Sequence, residues 1–197
     1  VKPHEFSYER RGQSFKAENE KLEIALHQVK NSLRQFIAHT ESTAIKQIFM
    51  AHLEMLDDPD LLQSVQPGLK QGASAAAAWH DHIEVAATAQ AALSDHLLAE
   101  RAADLRDIGE RVLAALCGVA DVTEPEQPYI LIMHDVGASD VARLNKDRVA
   151  GILTAVGGAS AHSAIVARAL AIPAVVGAGV AVLNIENHAT VLINGDS

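Results

Sequence analysis

The stretch Gly157-Gly158-Ala159-Ser160-Ala161-His162-Ser163 joins an apolar, strand-like run to a helical one through paired glycines. Glycines at such a junction let the backbone approach a ligand closely, and the free amides of the next helical turn attract an anion. His162 stands at the start of that turn, where the positive end of the helix dipole disfavours the imidazolium and favours a nearby anion. A neutral imidazole is a nucleophile. Phosphorylated on a ring nitrogen, it would carry a dianion that the amides and the hydroxyls of Ser160 or Ser163 could stabilise. The stretch has no Gly-Lys-Ser/Thr ending, so no lysine meets outer phosphates and no hydroxyl is set for magnesium, which excludes a nucleotide P-loop. Taken alone, a histidine at helical spacing with Ile165, Val166 and Ala169 is more often a packing residue.

Other constellations carry less. Asp135 follows an apolar run, where α/β sheets place functional side chains, but reads equally as a capping carboxylate. Thr154, at a strand end before Gly157, could hydrogen-bond the imidazole and fix its tautomer. Arg168 lies six residues beyond His162, off its helical face, and suits a structural ion pair as readily as a phosphate. His80 and His82 are two apart on a helix and point in nearly opposite directions, so no metal site is expected. His52 falls in an apolar helical stripe and should be buried and hydrogen-bonded. A serine-hydrolase elbow at Ser160 fails because His162 stands where a glycine is needed.

The elements that must position His162 follow from periodicity. Leu22, Ala25, Leu26, Val29, Leu33, Phe36 and Ile37 mark one helix from Phe15 to about His39. Ile45, Ile48, Phe49, Leu53 and Leu56 mark the next, with a bend at Asp58, which can cap, and Pro59, which can open a short helix ending at Pro67-Gly68. Helices from about Ala73 to Leu93 and Asp95 to Val119 complete a bundle. After Pro125 and Pro128 the texture changes. Tyr129 to Met133 reads as a strand, then come a small helix opened by Ser139, a strand from Val149 to Thr154, a helix from His162 to Leu170, and strands at Ala174 to Val176 and Thr190 to Ile193. The expected organisation is residues 1–14 as a strand or linker of the α/β part, 15–120 helical, and 121–197 α/β.

Composition bounds the partners. The 197 residues carry a net charge of −9 and 4% aromatics, which argues against nucleic acid, since neither phosphate contacts nor base stacking is provided for. Cys117 is the lone cysteine and fits a reducing compartment, no apolar run is long enough to span a membrane, and the N-terminus has neither a signal-peptide pattern nor an initiator methionine. A piece of a longer cytoplasmic protein is expected. Between residues 41 and 60, Glu41, Glu54, Asp57, Asp58 and Asp60 face Lys46 alone, either a solvated surface or a docking one.

Gly157-Gly158, His162, Ala164-Ile165, Ala167-Arg168 and Ile172-Pro173-Ala174-Val175-Val176-Gly177 resemble the signature around the phosphohistidine of the enzymes that use phosphoenolpyruvate: Enzyme I of the sugar phosphotransferase system, phosphoenolpyruvate synthase and pyruvate phosphate dikinase. Glu100 to Gly109 and Ile48 to Asp58 resemble Enzyme I in particular. That resemblance implies a two-part α+β fold, a swivelling phosphohistidine β/α domain with an inserted helical bundle that docks the phosphocarrier HPr. It implies that the bend at Asp57, Asp58 and Asp60, with Glu54, Met55 and Leu61, faces HPr, that Arg106 lies near the transferred phosphoryl group, and that Asp135 matches an acidic active-site position. It further implies a C-terminal barrel outside this sequence that binds phosphoenolpyruvate and Mg2+, with no cofactor in this chain. Alternatives are an Enzyme I-like part of a multidomain protein feeding a fructose system or dihydroxyacetone kinase, a non-catalytic docking module, and a swivelling domain of a synthase or dikinase.

Overall fold

The structure, a computed structural model, describes residues 6–93, 96–119, 125–158 and 162–194. Chain contacts divide the protein near residue 121 into a helical unit and an α/β unit.

The helical unit contains α1 (Phe15–His39), α2 (Thr43–Asp57), α3 (Pro59–Lys70), α4 (Ala75–Ala91) and α5 (His96–Leu116). Serines open three of them: Ser14, Ser42 and Ser74 each accept an amide hydrogen from the residue three positions on. α1 buries Leu22, Ala25, Leu26, Val29 and Leu33 along the expected stripe. Asp58 both closes α2 and caps α3, accepting the Asp60 amide at 2.9 Å, with Pro59 at the first helical position.

The helix does not end at Pro67-Gly68, as the sequence suggested. It runs on to Lys70 because Val65 and Leu69 anchor it in the core, and Gly68 serves packing: a Cβ there would lie 3.1 Å from that of Ala78 on α4. The actual stop is Gly72, at φ 87°. The run Ala75 to Ala78 is buried throughout, so its small side chains bring α4 close to its neighbours.

The segment 6–14 was expected with the α/β part, but it packs as a strap on the helical unit. Ser74 N–H donates to the Arg10 carbonyl, Gly12 N–H to that of Gly72, and Ser74 Oγ to that of Glu9. Glu18 locks this junction, being only 3% exposed and accepting from the amides of Ala75 (2.8 Å) and Gln13 (3.2 Å) and from Lys21 (2.8 Å). Burial alone would raise its carboxyl, but the Lys21 and amide hydrogen bonds more than reverse this and hold it below the ordinary value. A depressed folded pKa contributes stability that is present above the unfolded value, about 4.3, and lost as pH falls through the folded one. Glu18→Gln should therefore lower stability at neutral pH by about 2 kcal/mol and flatten its acid dependence, measured as urea midpoints between neutral and acid pH.

The α/β unit comprises β1 (Tyr129–Met133), α6 (Ala138–Arg143), β2 (Val149–Thr154), α7 (His162–Ala169), β3 (Ala174–Val175) and a short 3-10 turn, Val180–Asn184. The strands form a parallel sheet in the order β1-β2-β3, with Leu131 opposite Ile152 and Ile152 opposite Ala174. β2 is central and buried except at Ala150, as strands paired on both sides must be. α6 opens at Gly137 rather than Ser139, which is fully buried as the second residue of the helix. Residues 190–193 were expected as a strand and are not one. Ile193 instead lies over Gly151 of β2, where a Cβ would have to push its terminal methyl aside.

Candidate active site

The three strands end together, and backbone hydrogen bonds continue past them. Ala155 and Val156 donate to the carbonyls of Met133 and His134, Gly177 donates to that of Val156, and Ala178 and Gly179 donate to those of Thr154 and Ala155. This pinned edge is the carboxyl end of a parallel sheet, where α/β folds hold their ligands. Gly157 leaves it at φ 103°, a conformation that needs glycine, and a Cβ there would lie 3.8 Å from Thr154 Oγ1 and 3.9 Å from Asp135 Oδ1. Asp135 and Thr154 thus flank the glycine loop. A Cβ on Gly158 would meet none of the described residues within 4 Å.

His162 is the first residue of α7 and is half-buried. Ser160 lies outside the described residues. Ser163 is buried with Ala164, Val166 and Ala167 on the packed face of α7. Thr154 is also buried, and its hydroxyl donates to the Val156 carbonyl at 2.6 Å. With its one hydrogen committed, it can meet an imidazole only as an acceptor. Asp135 Oδ1 accepts the adjacent Val136 amide at 2.8 Å, and its side chain is exposed. Arg168 is exposed in the last turn of α7, about 9 Å along the axis from His162, where its charge complements the helix dipole.

Gly177 was missed as a site residue, although it ends the Ile172 to Gly177 run. It has φ 68°, and a Cβ on it would stand 2.9 Å from the Gly157 carbonyl. Gly177→Ala should cost about 1–3 kcal/mol and push the Gly157 loop aside. Thermal unfolding would register the cost, and changes in the amide shifts of Gly157 and Gly158 would register the displaced loop.

On the helical unit, Glu54 and Asp60 are exposed, Asp57 pairs with Lys30 of α1 at 2.6 Å, Asp58 is committed to its cap, and Leu61 is half-buried. Met55 does not face outward. It is 8% exposed and belongs to the core stripe with Ile48, Phe49, His52 and Leu56, so the apolar element on the acidic side is Met50, 52% exposed. Met50, Glu54 and Asp57 follow one another at helical spacing on one face, a pattern that periodicity could have shown. Arg106 is exposed and faces Glu84 of α4 at 3.9 Å. Its ion partner and that of Asp57 thus lie on different helices.

His52 is fully buried, as its stripe suggested, with Nε2 3.3 Å from Asp104 Oδ1 and Nδ1 3.9 Å from Asp107 Oδ2. Arg111, 7% exposed, lays its guanidinium over the rings of Phe36 and Phe49, 5.7 and 5.9 Å from their centroids. Sequence reading missed this cluster. Its signal is the spacing of Asp104, Asp107 and Arg111 along the apolar face of α5.

Among the described residues, no helix is long and apolar enough to cross a membrane. Residues 3–101 match the family model described as PEP-utilising enzyme, N-terminal, and residues 125–197 match PEP-utilising enzyme, mobile domain. The chain belongs to the phosphoenolpyruvate-utilising enzymes. It is similar to the multiphosphoryl transfer protein of Xanthomonas campestris pv. campestris, 40% identical over 88% of this chain and 22% of that protein. It is 35% identical to the phosphoenolpyruvate-protein phosphotransferase of Staphylococcus carnosus over 89% of this chain and 30% of that protein. The chain therefore spans less than a third of either relative's length.

Two solved structures share the fold. One is an Enzyme I (nEIt) solution structure, with TM-score 0.68 and 31% identity over 93% of this chain and 77% of that one. The other is an N-terminal domain of Enzyme 1 - Nitrogen, with TM-score 0.66 and 32% identity over 87% and 72%. The two-part architecture, helical unit and small parallel sheet, is that of Enzyme I N-terminal domains.

Proposed function

We propose that this chain is the phosphohistidine-bearing part of a phosphoenolpyruvate-protein phosphotransferase. A ring nitrogen of His162 attacks the phosphorus of phosphoenolpyruvate, the bond from phosphorus to the enol oxygen breaks, and pyruvate leaves as its enolate while the ring carries the phosphoryl group. A histidine of an HPr-like carrier then attacks the same phosphorus and the bond to His162 breaks. The observation that supports this reading is His162 at the first turn of α7, following a glycine loop anchored to the carboxyl end of the sheet. Catalysis of this kind is mostly positioning and charge stabilisation, which fixed backbone provides. Since Thr154 can only accept from the ring, a bond between them would hold the proton on one nitrogen and leave the other free to attack.

Phosphoenolpyruvate and its Mg2+ belong to a barrel domain outside this chain, and the carrier to the helical unit, along Met50, Glu54 and Asp57. The 40% identity to a multiphosphoryl transfer protein supports a multidomain parent in which an Enzyme I-like part is fused to other phosphoryl carriers. The test is exchange. Transfer between two histidines is nearly isoenergetic, so the chain should take label reversibly from phosphorylated HPr but not from phosphoenolpyruvate alone. A chain that binds phospho-HPr and gains no label would instead be a docking module.

A further inference from the structure

We propose that the groove between the strap at residues 6–14, α3 and α4 binds a small organic phosphate, independently of His162. The groove has a volume of about 480 Å³, within the range of small-molecule sites, about 300–1,000 Å³. Its lining is chemically mixed. Val65, Ala78 and Val85 are apolar, the last 69% exposed, and Arg10, Arg11 and His82 are basic, with Ala78, His82 and Val85 following one another along one face of α4.

The charge balance here is opposite to that of the chain. The whole sequence carries −9, yet the groove presents two guanidiniums against one carboxylate, Asp81. Asp81 pairs with Arg10, and among the described residues Arg11 has no ion-pair partner. A guanidinium fork suits a phosphate, and the exposed Val85 side chain suits a ligand with an organic body.

His82 supplies a second handle. Its Nε2 lies 2.7 Å from Ser64 Oγ, which donates its hydrogen to the Leu61 carbonyl at 2.6 Å. Nε2 must then carry the hydrogen, and protonation turns Nδ1 into a further donor. Burial holds the His82 pKa below its ordinary value, and a dianion in the groove would raise it. The charged groups around it are Arg10 and Arg11 from the strap and Asp81 from its own helix, while α3 contributes only the Ser64 hydroxyl and the Leu61 carbonyl.

The experiment titrates the full chain with phenyl phosphate, and separately with inorganic phosphate, following the His82 ring and the Gly72 and Ala73 amides by NMR. Phenyl phosphate should produce saturable shifts at these positions, bind more tightly than inorganic phosphate, raise the His82 pKa and weaken with salt. Arg11→Gln should weaken it by roughly fivefold or more, whereas Arg34→Gln on α1 should not. The Arg11 side chain is exposed, so its loss leaves the fold intact. Shifts that never saturate, or that respond equally to the two substitutions, would overturn the proposal. Binding that persists in His162→Ala, with phosphoryl transfer gone, separates this site from the phosphohistidine.

Discussion

His162→Ala will abolish incorporation of phosphate from phosphorylated HPr, leaving no adduct detectable by intact mass. Among the described residues around the Gly157 loop, Thr154 and Ser163 are buried, while an acyl phosphate on exposed Asp135 would be labile in base and a phosphoryl group on exposed His134 would survive the loss of His162. The adduct on the unmodified chain should be acid-labile and base-stable, as a phosphorus-nitrogen bond requires. The melting temperature of the variant, measured alongside, separates loss of the ring from unfolding. Gly158→Ala is the matched control, since a Cβ there meets none of the described residues within 4 Å and label should persist. An alanine variant at position 162 that still gains one phosphoryl group would place the carrier elsewhere and end the proposed mechanism.

Most of the helices and both longer strands were legible because local signals agreed with burial. The apolar stripe of α1 and the Asp58-Pro59 junction gave element and boundary together, and the apolar run Tyr129 to Met133 could only be a strand of that length. What escaped was set by tertiary contact. Pro67-Gly68 reads locally as a stop, but Gly68 is spent on contact with Ala78. Thr190 to Ile193 is strand-like in composition, yet no strand pairs with it, and its role is to lay Ile193 over Gly151. The strap at residues 6–14 has no periodicity and is held by backbone atoms around Ser74, which composition cannot reveal.

The candidate site divides the same way. The glycine loop and His162 were visible because their residue types are restrictive. The dependence of Gly157 on Gly177 and the donor commitment of Thr154 are relations between strand ends, and a linear reading does not carry them. Met55 and Met50 make the point most simply: both flank the acidic bend, and only the phase of α2 assigns one to the core and the other to the surface.

Trp79→Ala should produce the largest loss of stability in the helical unit, about 3–5 kcal/mol. Trp79 is fully buried on α4, and its indole N–H donates to the Gly109 carbonyl of α5 at 3.0 Å. Gly109 lets α5 pack directly against α4, because a Cβ on it would stand 2.6 Å from Cγ2 of Ile83, one turn beyond Trp79. Truncation removes both the aromatic volume and the interhelical hydrogen bond, and the backbone contact at Gly109 already leaves little room for the helices to close further. Trp79→Phe keeps much of the volume and loses the donor, so its cost should be smaller, about 1–2 kcal/mol. The α/β unit has its own core, so calorimetry should show the helical transition of Trp79→Ala falling by about 10 °C or more while the other stays in place. Below that transition the variant should still exchange phosphate with HPr, and above it transfer should stop although His162 remains in a folded unit. If transfer survives melting of the helical unit, the carrier does not dock there.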